Sequence, residues 1–241
     1  MQGVLYVSHG TRYEKGKQEA IDFIRSIQSE VDAPLQEICF LEINNPNVEE
    51  GIQKLVEAGA QSISVVPILL LTAGHALKDI PMELEKAQQK YPSISFTYGE
   101  PLGVQDRLID VVEERIREVN EDSDVLLVGR GSYDPQTRID IESIAGSLEK
   151  RLGRKVETAY LAAIKPSFDE ALEQVKDGRA LIVAPYLWFD GLLIQSMNKK
   201  VEALNDKGLD VVLAHYLSDH PNFKEALVDR VHQSFEMPFS K

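Results

Sequence analysis

The chain has 241 residues, of which 43% are hydrophobic and 27% charged, a composition typical of a globular protein with one large domain or two modest ones. Its formal net charge of −13 argues against general binding to nucleic acid or to anionic membranes, because both of these partners are negatively charged. No uncharged apolar run approaches the ~20 residues of a membrane helix, and the N-terminus lacks a signal-peptide pattern, so we expect a cytoplasmic protein. The single cysteine, Cys39, permits no disulfide framework and is interpreted as a core thiol.

Apolar runs typical of buried strands alternate with helix-period segments through the first half of the chain. The predicted strands are Gly3–Val7, Glu37–Leu41, Ser62–Pro67 and Ser93–Tyr98. The predicted helices are roughly Glu14–Val31, Asn47–Ala58, Lys78–Gln89 and Gln105–Val119. This alternation predicts right-handed βαβ units, and therefore an α/β fold with a parallel sheet covered by helices on both faces.

The second half of the chain repeats this order, with a period of about 120 residues that is too long for a solenoid. Residues 125–132 can be laid on 4–11, residues 160–166 on 40–46, and residues 180–191 on 63–74. The repeat predicts two tandem parallel-sheet domains that arose by internal duplication, over residues 1–121 and 122–241. The polar stretch Glu121–Asp124 is the predicted boundary.

Three potential metal ligands directly follow predicted strands of the first half. His9 follows the first strand, Glu42 the second, and His75 comes after the third at the break made by Gly74. Ligands of open α/β sheets bind at the carboxyl ends of the strands, so these side chains are expected to share one edge. Imidazole with carboxylate suits Fe(II), Co(II), Ni(II) or Zn(II), and histidine can also accept a proton near neutral pH. An ordinary solvated carboxylate remains an alternative for Glu42.

The second half lacks these ligands and has Arg130, Ala162 and Leu192 at the corresponding positions. Packing would impose the same residues on both copies, so ligands in only one copy indicate one site, in the first half. A purely structural role for His9 and His75 is the less favoured alternative. The remaining histidines have no matching ligand set and are interpreted as structural: His215, His220 and His232.

Basic side chains lie just past the two candidate histidines. An acidic chain needs a local positive rim to bind a carboxylate-rich ligand, and Arg12 and Lys78 could provide one. Solvated side chains on the first helical turn remain the alternative for both, and that interpretation is favoured for Lys15 and Lys17.

Three motifs together resemble one enzyme family. They are Ser8-His9-Gly10-Thr11-Arg12, then Phe40-Leu41-Glu42 with Pro46, and the stretch from Gly74-His75 through Asp79-Ile80-Pro81. The combination resembles the class II chelatases of the tetrapyrrole pathways, most closely the long, two-domain sirohydrochlorin ferrochelatase and cobaltochelatase group. The similarity covers essentially the whole chain, and the stretch from His75 to Pro81 is its most specific part.

The resemblance implies two flavodoxin-like lobes with a cleft between them, and insertion of a divalent metal ion into a reduced tetrapyrrole without ATP. It places the metal ligands on His9 and His75, with His9 as the proton acceptor. In the reaction that this implies, the carboxylate of Glu42 would help to balance charge. It places substrate contacts at the following residues: Asn45, Leu70, Leu71, Thr72, Ala73 and Gly74.

The sequence also suggests which metal ion is the substrate and whether the chain is a monomer. Some cobalt-pathway relatives carry a histidine-rich tail that this chain lacks, which favours Fe(II) and siroheme over Co(II) and cobalamin synthesis. We expect no cofactor beyond the divalent metal substrate, with Fe(II) first and Co(II) or Ni(II) as alternatives. A duplicated chain encloses its own cleft, so we expect a monomer.

Two other function classes are compatible with some of these features. A first strand that ends in His-Gly-Thr is similar to the histidine phosphatases, but those enzymes need an arginine directly before the histidine, where this chain has Ser8. A metal or tetrapyrrole carrier would use the same ligands without turnover. Phosphoryl-ester hydrolysis and catalysed metal insertion would distinguish these alternatives.

Overall fold

The computed structural model describes residues 1–120, 122–176 and 178–240, which form two four-stranded parallel sheets flanked by helices. The strands are β1 (Gln2–Ser8), β2 (Leu35–Phe40), β3 (Ser62–Pro67), β4 (Ser95–Tyr98), β5 (Asp124–Gly129), β6 (Val156–Tyr160), β7 (Leu181–Tyr186) and β8 (Val211–Leu213). The helices are α1 (Glu14–Ile27), α2 (Val48–Glu57), α3 (Ile80–Lys90), α4 (Asp106–Arg117), α5 (Pro135–Leu152), α6 (Phe168–Leu172), α7 (Leu192–Asn205) and α8 (Pro221–Ser234). One turn of π-helix, His75–Asp79, precedes α3.

Both sheets have the same strand order, β2-β1-β3-β4 in the first and β6-β5-β7-β8 in the second. All strand pairs are parallel, as expected for βαβ units. The predicted α/β fold with tandem, duplicated sheets is therefore confirmed. In the first sheet, β1 lies between β2 and β3, so the carboxyl ends of these three strands are neighbours at one edge.

The sheet register corrects the predicted alignment of the two halves by one residue. Pro67 pairs with Val7 in the first sheet, and Pro185 pairs with Val128 in the second. The two prolines are therefore equivalent, whereas the sequence alignment had placed Pro67 on Ala184. Apolar runs that are buried on both faces carry no alternation to fix their register, which explains the error.

The compact units differ from the sequence repeats. One unit contains Met1–Gly103 together with Phe223–Lys241, and the other contains Val104–Asn222. The predicted division lay between residues 121 and 122. Helix α4, the last of the first repeat, instead belongs to the second unit, where it packs against α5 and β7. Helix α8, the last of the second repeat, belongs to the unit of the first sheet.

The core of the first unit joins β1 and β3 to helices α2 and α3, with Leu5, Leu55, Val65 and Leu84 almost fully buried. Cys39 lies in this core, and its burial raises the pKa of the thiol, so the interpretation as an inert core residue is confirmed. None of the helices within the described residues has the length and apolar character to cross a membrane.

Candidate metal centre

The pairing between β1 and β2 continues past the strand ends and fixes two of the candidate ligands side by side. The Leu41 N–H donates to the Ser8 carbonyl at 2.8 Å, and the Glu42 N–H donates to the His9 carbonyl at 3.1 Å. This backbone ladder brings Nε2 of His9 within 3.2 Å of Oε1 of Glu42.

Gly10 allows the two chain segments to approach this closely. Its φ is +99°, and a Cβ atom at this position would lie 1.9 Å from the carbonyl oxygen of Glu42. The next residue, Thr11, donates its N–H to Oδ1 of Asn44 at 2.7 Å, which holds the loop after β1 against the loop after β2.

His75 reaches the same edge through a loop with a fixed backbone. The loop begins after β3, where the Ile68 N–H donates to the Val7 carbonyl at 2.8 Å. The carbonyls of Leu69 and Leu70 then accept from the N–H groups of residues 102 and 103 at 3.0 and 2.8 Å. The π-turn starts at His75, whose ring lies edge-on to that of His9 with the centroids 4.5 Å apart.

The three side chains are placed so that one cation could contact all of them. One ligand atom from each of His9, Glu42 and His75 lies within 4.8 Å of the other two. An ion bound about 2.0–2.2 Å from each ligand atom requires these atoms to lie no more than about 4.4 Å apart. The three side chains would therefore need to approach one another by only a few tenths of an ångström to bind it. The histidine side chains are 25% and 28% exposed and Glu42 is 50% exposed, so the set is open to solvent.

The hydrogen bonding of His9 also favours a cation. Its Nδ1 lies 3.1 Å from the carbonyl oxygen of Gly10, which can only accept, so Nδ1 carries the proton of a neutral ring. The Nε2 lone pair then faces the carboxylate of Glu42, an arrangement that a proton or a metal ion between the two would stabilise.

The predicted substrate residues surround this edge, although their contacts with a ligand stay predictions. Leu70, Leu71, Thr72 and Ala73 are half-buried in the loop before His75, and Gly74 is exposed. Asn45, Arg12 and Lys78 are exposed as well.

The lysines of α1 differ from the two other basic residues. Lys17 pairs with Glu14 at 2.8 Å, and Lys15 lies 3.8 Å from Glu19, as expected for a solvated helix surface. Within the part of the chain that the structure describes, neither Arg12 nor Lys78 takes part in a salt bridge, so both cations are available to an anionic ligand.

The other histidines have structural partners. Nε2 of His220 lies 3.2 Å from Glu114, and Nδ1 of His215 lies 2.7 Å from the Tyr216 carbonyl. His232 accepts from the Asp32 N–H at 3.4 Å. No second group of three such ligands gathers around them among the described residues.

Sequence reasoning missed three residues that support the site. Asn44 holds the loop of His9, and Asp79 lies 2.7 Å from His75. The spacing of four residues between His75 and Asp79 in a helical segment was the available signal. Tyr98 donates to the backbone of the π-turn, a contact between distant segments that no local pattern indicates.

The tandem parallel sheets agree with the class II chelatases that the motifs had indicated. The model of the CbiX family matches residues 3–119 and again residues 124–234, and the chain belongs to this family. The two matches follow the two sequence repeats.

Full-length relatives carry chelatase names. The chain is 42% identical over 238 residues to the sirohydrochlorin ferrochelatase of Priestia megaterium, covering 96% of this chain and 90% of that protein. It is 34% identical to the sirohydrochlorin cobaltochelatase of the same organism, covering 98% and 81% of the two chains. The solved structure of SirB from Bacillus subtilis with Fe3+ has a TM-score of 0.89 at 35% identity, with 99% of each chain covered.

Proposed function

We propose that this chain is a sirohydrochlorin ferrochelatase, a metal chelatase that inserts Fe(II) into sirohydrochlorin to give siroheme. The observation that carries the proposal is the convergence of His9, Glu42 and His75 from the ends of three adjacent strands. The full-length similarity to a ferrochelatase supports the same substrate. The reaction needs no ATP and no cofactor beyond the metal substrate.

The proposed residues would first hold the metal ion. Neutral imidazoles of His9 and His75 bind it as nitrogen ligands, and Glu42 supplies negative charge next to His9. Holding the ion and the macrocycle at one strand edge makes their reaction effectively unimolecular.

Metal insertion also requires a base, because the ion replaces two pyrrole N–H protons. As the metal moves to the pyrrole nitrogens, Nε2 of His9 is released and accepts one of these protons. The adjacent carboxylate of Glu42, 3.2 Å away, stabilises the imidazolium that forms. Solvent receives the second proton, since the site is open.

The surrounding surface suits a large, carboxylate-rich ring. The loop from Leu70 to Gly74 supplies apolar contact area, and Arg12 and Lys78 supply positive charge in a chain with a net charge of −13. Exposed Ile43 and Leu77, 56% and 59% accessible, add apolar surface beside Glu42 and His75.

Cobalt insertion is the second candidate. A relative that covers nearly the whole chain is named a cobaltochelatase, and the solved structure of SirB in complex with cobalt has a TM-score of 0.88 at 36% identity. Initial rates with Fe(II) and Co(II), measured under the same anaerobic conditions, decide between the two substrates.

Mixing the protein with sirohydrochlorin and Fe(II) in the absence of ATP tests the proposal. The absorbance must change faster with the protein than without it. His9→Ala should lower the catalysed rate by about 10²–10⁴-fold, because the base is lost. The matched control His232→Ala removes an imidazole outside the site and should leave the rate unchanged. Metal or ring binding without turnover would instead identify a carrier, and hydrolysis of phosphoryl esters a phosphatase.

The proposal includes a cytoplasmic monomer that binds neither nucleic acid nor membranes. Light scattering on the purified chain measures the assembly state, and a mass near twice 27.0 kDa would contradict it.

A further inference from the structure

The Nδ1 atom of His75 lies 2.7 Å from Oδ2 of Asp79. An ionised carboxylate only accepts hydrogen bonds, so Nδ1 carries the proton of the neutral ring. The lone pair is then on Nε2, the form in which an imidazole binds a metal ion.

His75 and Asp79 are the first and last residues of the π-turn. Its closing bond runs from the Ile80 N–H to the His75 carbonyl, five residues back. Side chains four positions apart lie on the same face of a helical segment, which agrees with the 2.7 Å contact between His75 and Asp79. In the second half, the helix that follows the corresponding strand is the regular helix α7, so the duplicated fold does not itself require a π-turn.

Pro81 removes a hydrogen bond that the π-turn would otherwise contain. The next bond of the i→i+5 series would run from residue 81 to the Ala76 carbonyl, and proline has no N–H. Tyr98 supplies the missing donor, because its Oη donates to the Ala76 carbonyl at 2.8 Å. Ala76 is 4% exposed, so the carbonyl would otherwise lose a partner in a buried position.

Tyr98 is itself held firmly. Its N–H donates to the Met237 carbonyl at 3.0 Å, and its ring packs edge-on against Phe239 with centroids 6.3 Å apart. Burial raises the pKa of the phenol, so it stays protonated and remains a donor.

We propose that Asp79 and Tyr98 are positioning residues for His75: Asp79 fixes the ring tautomer, and Tyr98 holds the turn that carries the ring. The proposal rests on the proposed function insofar as His75 binds the metal. Neither residue is proposed to touch the substrate or the reacting atoms.

The test measures the tautomer of His75 in the metal-free protein and the affinity for Co(II). Protonated and unprotonated ring nitrogens have well-separated ¹⁵N chemical shifts, and the His75 signals are assigned by their loss in His75→Gln. In Asp79→Ala we expect proton occupancy to move from Nδ1 towards Nε2 and the Kd for Co(II) to rise about 10- to 100-fold. In Tyr98→Phe we expect the tautomer to be kept and the Kd to rise about 2- to 10-fold.

Two matched variants control for charge and for the lost hydroxyl. Glu85→Ala removes a carboxylate from α3, and Tyr91→Phe removes a phenol OH at the end of that helix. Both should keep the wild-type tautomer and Kd. An unchanged tautomer in Asp79→Ala, or Kd values for Asp79→Ala and Tyr98→Phe equal to those of their controls, would overturn the proposal.

The same measurements separate this proposal from the proposed function. If the wild-type protein does not metallate sirohydrochlorin, but the two variants change the tautomer and the Kd for Co(II) as expected above, the chelatase function is contradicted and the positioning roles are supported. A wild-type protein that binds no Co(II) contradicts the metal site, and the positioning proposal fails with it.

Discussion

Substituting Gly10 by alanine tests whether the close approach of the loops after β1 and β2 assembles the metal site. The chain offers a matched control in its second half. Gly131 has the same left-handed conformation, with φ +86°, and a Cβ atom there would lie 2.0 Å from the Ala162 carbonyl oxygen. Arg130 and Ala162 stand where the first half has the candidate ligands His9 and Glu42, so Gly131→Ala reproduces the strain without the site.

The structure gives the size of the effect. The left-handed conformation costs a non-glycine residue about 1–2 kcal/mol, and forcing a methyl group into a filled space adds about 1–3 kcal/mol. Both variants should therefore lose about 2–5 kcal/mol of stability. The Cβ atom of Gly10→Ala would stand 1.9 Å from the Glu42 carbonyl, and contacts under 3.0 Å essentially do not occur, so the backbone of residue 42 must move. A movement of about 1 Å can cost on the order of 100-fold in a positioned site.

Thermal unfolding and Co(II) titration of the two variants form the assay. Both midpoints should fall by similar amounts, whereas only Gly10→Ala should raise the Kd for Co(II), by about 10- to 100-fold. Equal losses of Co(II) affinity in both variants would show that general destabilisation explains the effect. Wild-type affinity in Gly10→Ala would refute the assembly of the site through this contact.

Three further predictions follow from other features. Glu42→Gln keeps the shape of the side chain but removes its charge, and should weaken Co(II) binding measured by calorimetry; an unchanged Kd would exclude the carboxylate from the site. A fragment of residues 1–121 lacks α8 and leaves the apolar face of α4 without its partners, so light scattering and circular dichroism should not find a stably folded monomer, and a cooperatively unfolding monomer would contradict the assignment of these helices. Burial raises the pKa of Tyr6 and Tyr186 above the ordinary value of about 10, so the fold is favoured below that pH and weakened as the pH rises above it. Titration of tyrosine absorbance should show both ionising only as the protein unfolds in alkali, and ionisation near pH 10 in the folded state would contradict their burial.

The sequence by itself determined the fold class and the three candidate ligands. The apolar runs of β1 and β3 and the helical periods between strands are local patterns, and local patterns fix element type. His9, Glu42 and His75 could be grouped because parallel strands bring their carboxyl ends to one edge, whatever the details of packing. The missing ligands in the second half, read from Arg130 and Ala162, then limited the site to one copy.

Only the tertiary structure decided the register, the partners of the last helices and the support of His75. A strand buried on both faces reads the same after a shift of one residue, so only its pairing makes Pro67 equivalent to Pro185. The apolar face of α4 predicts that the helix is packed against a core, but the sequence does not indicate which of the two sheets it packs against. The hydrogen bond from Tyr98 to the Ala76 carbonyl forms only because the backbone between β3 and β4 brings the two residues together. Local sequence patterns do not predict the course of that backbone.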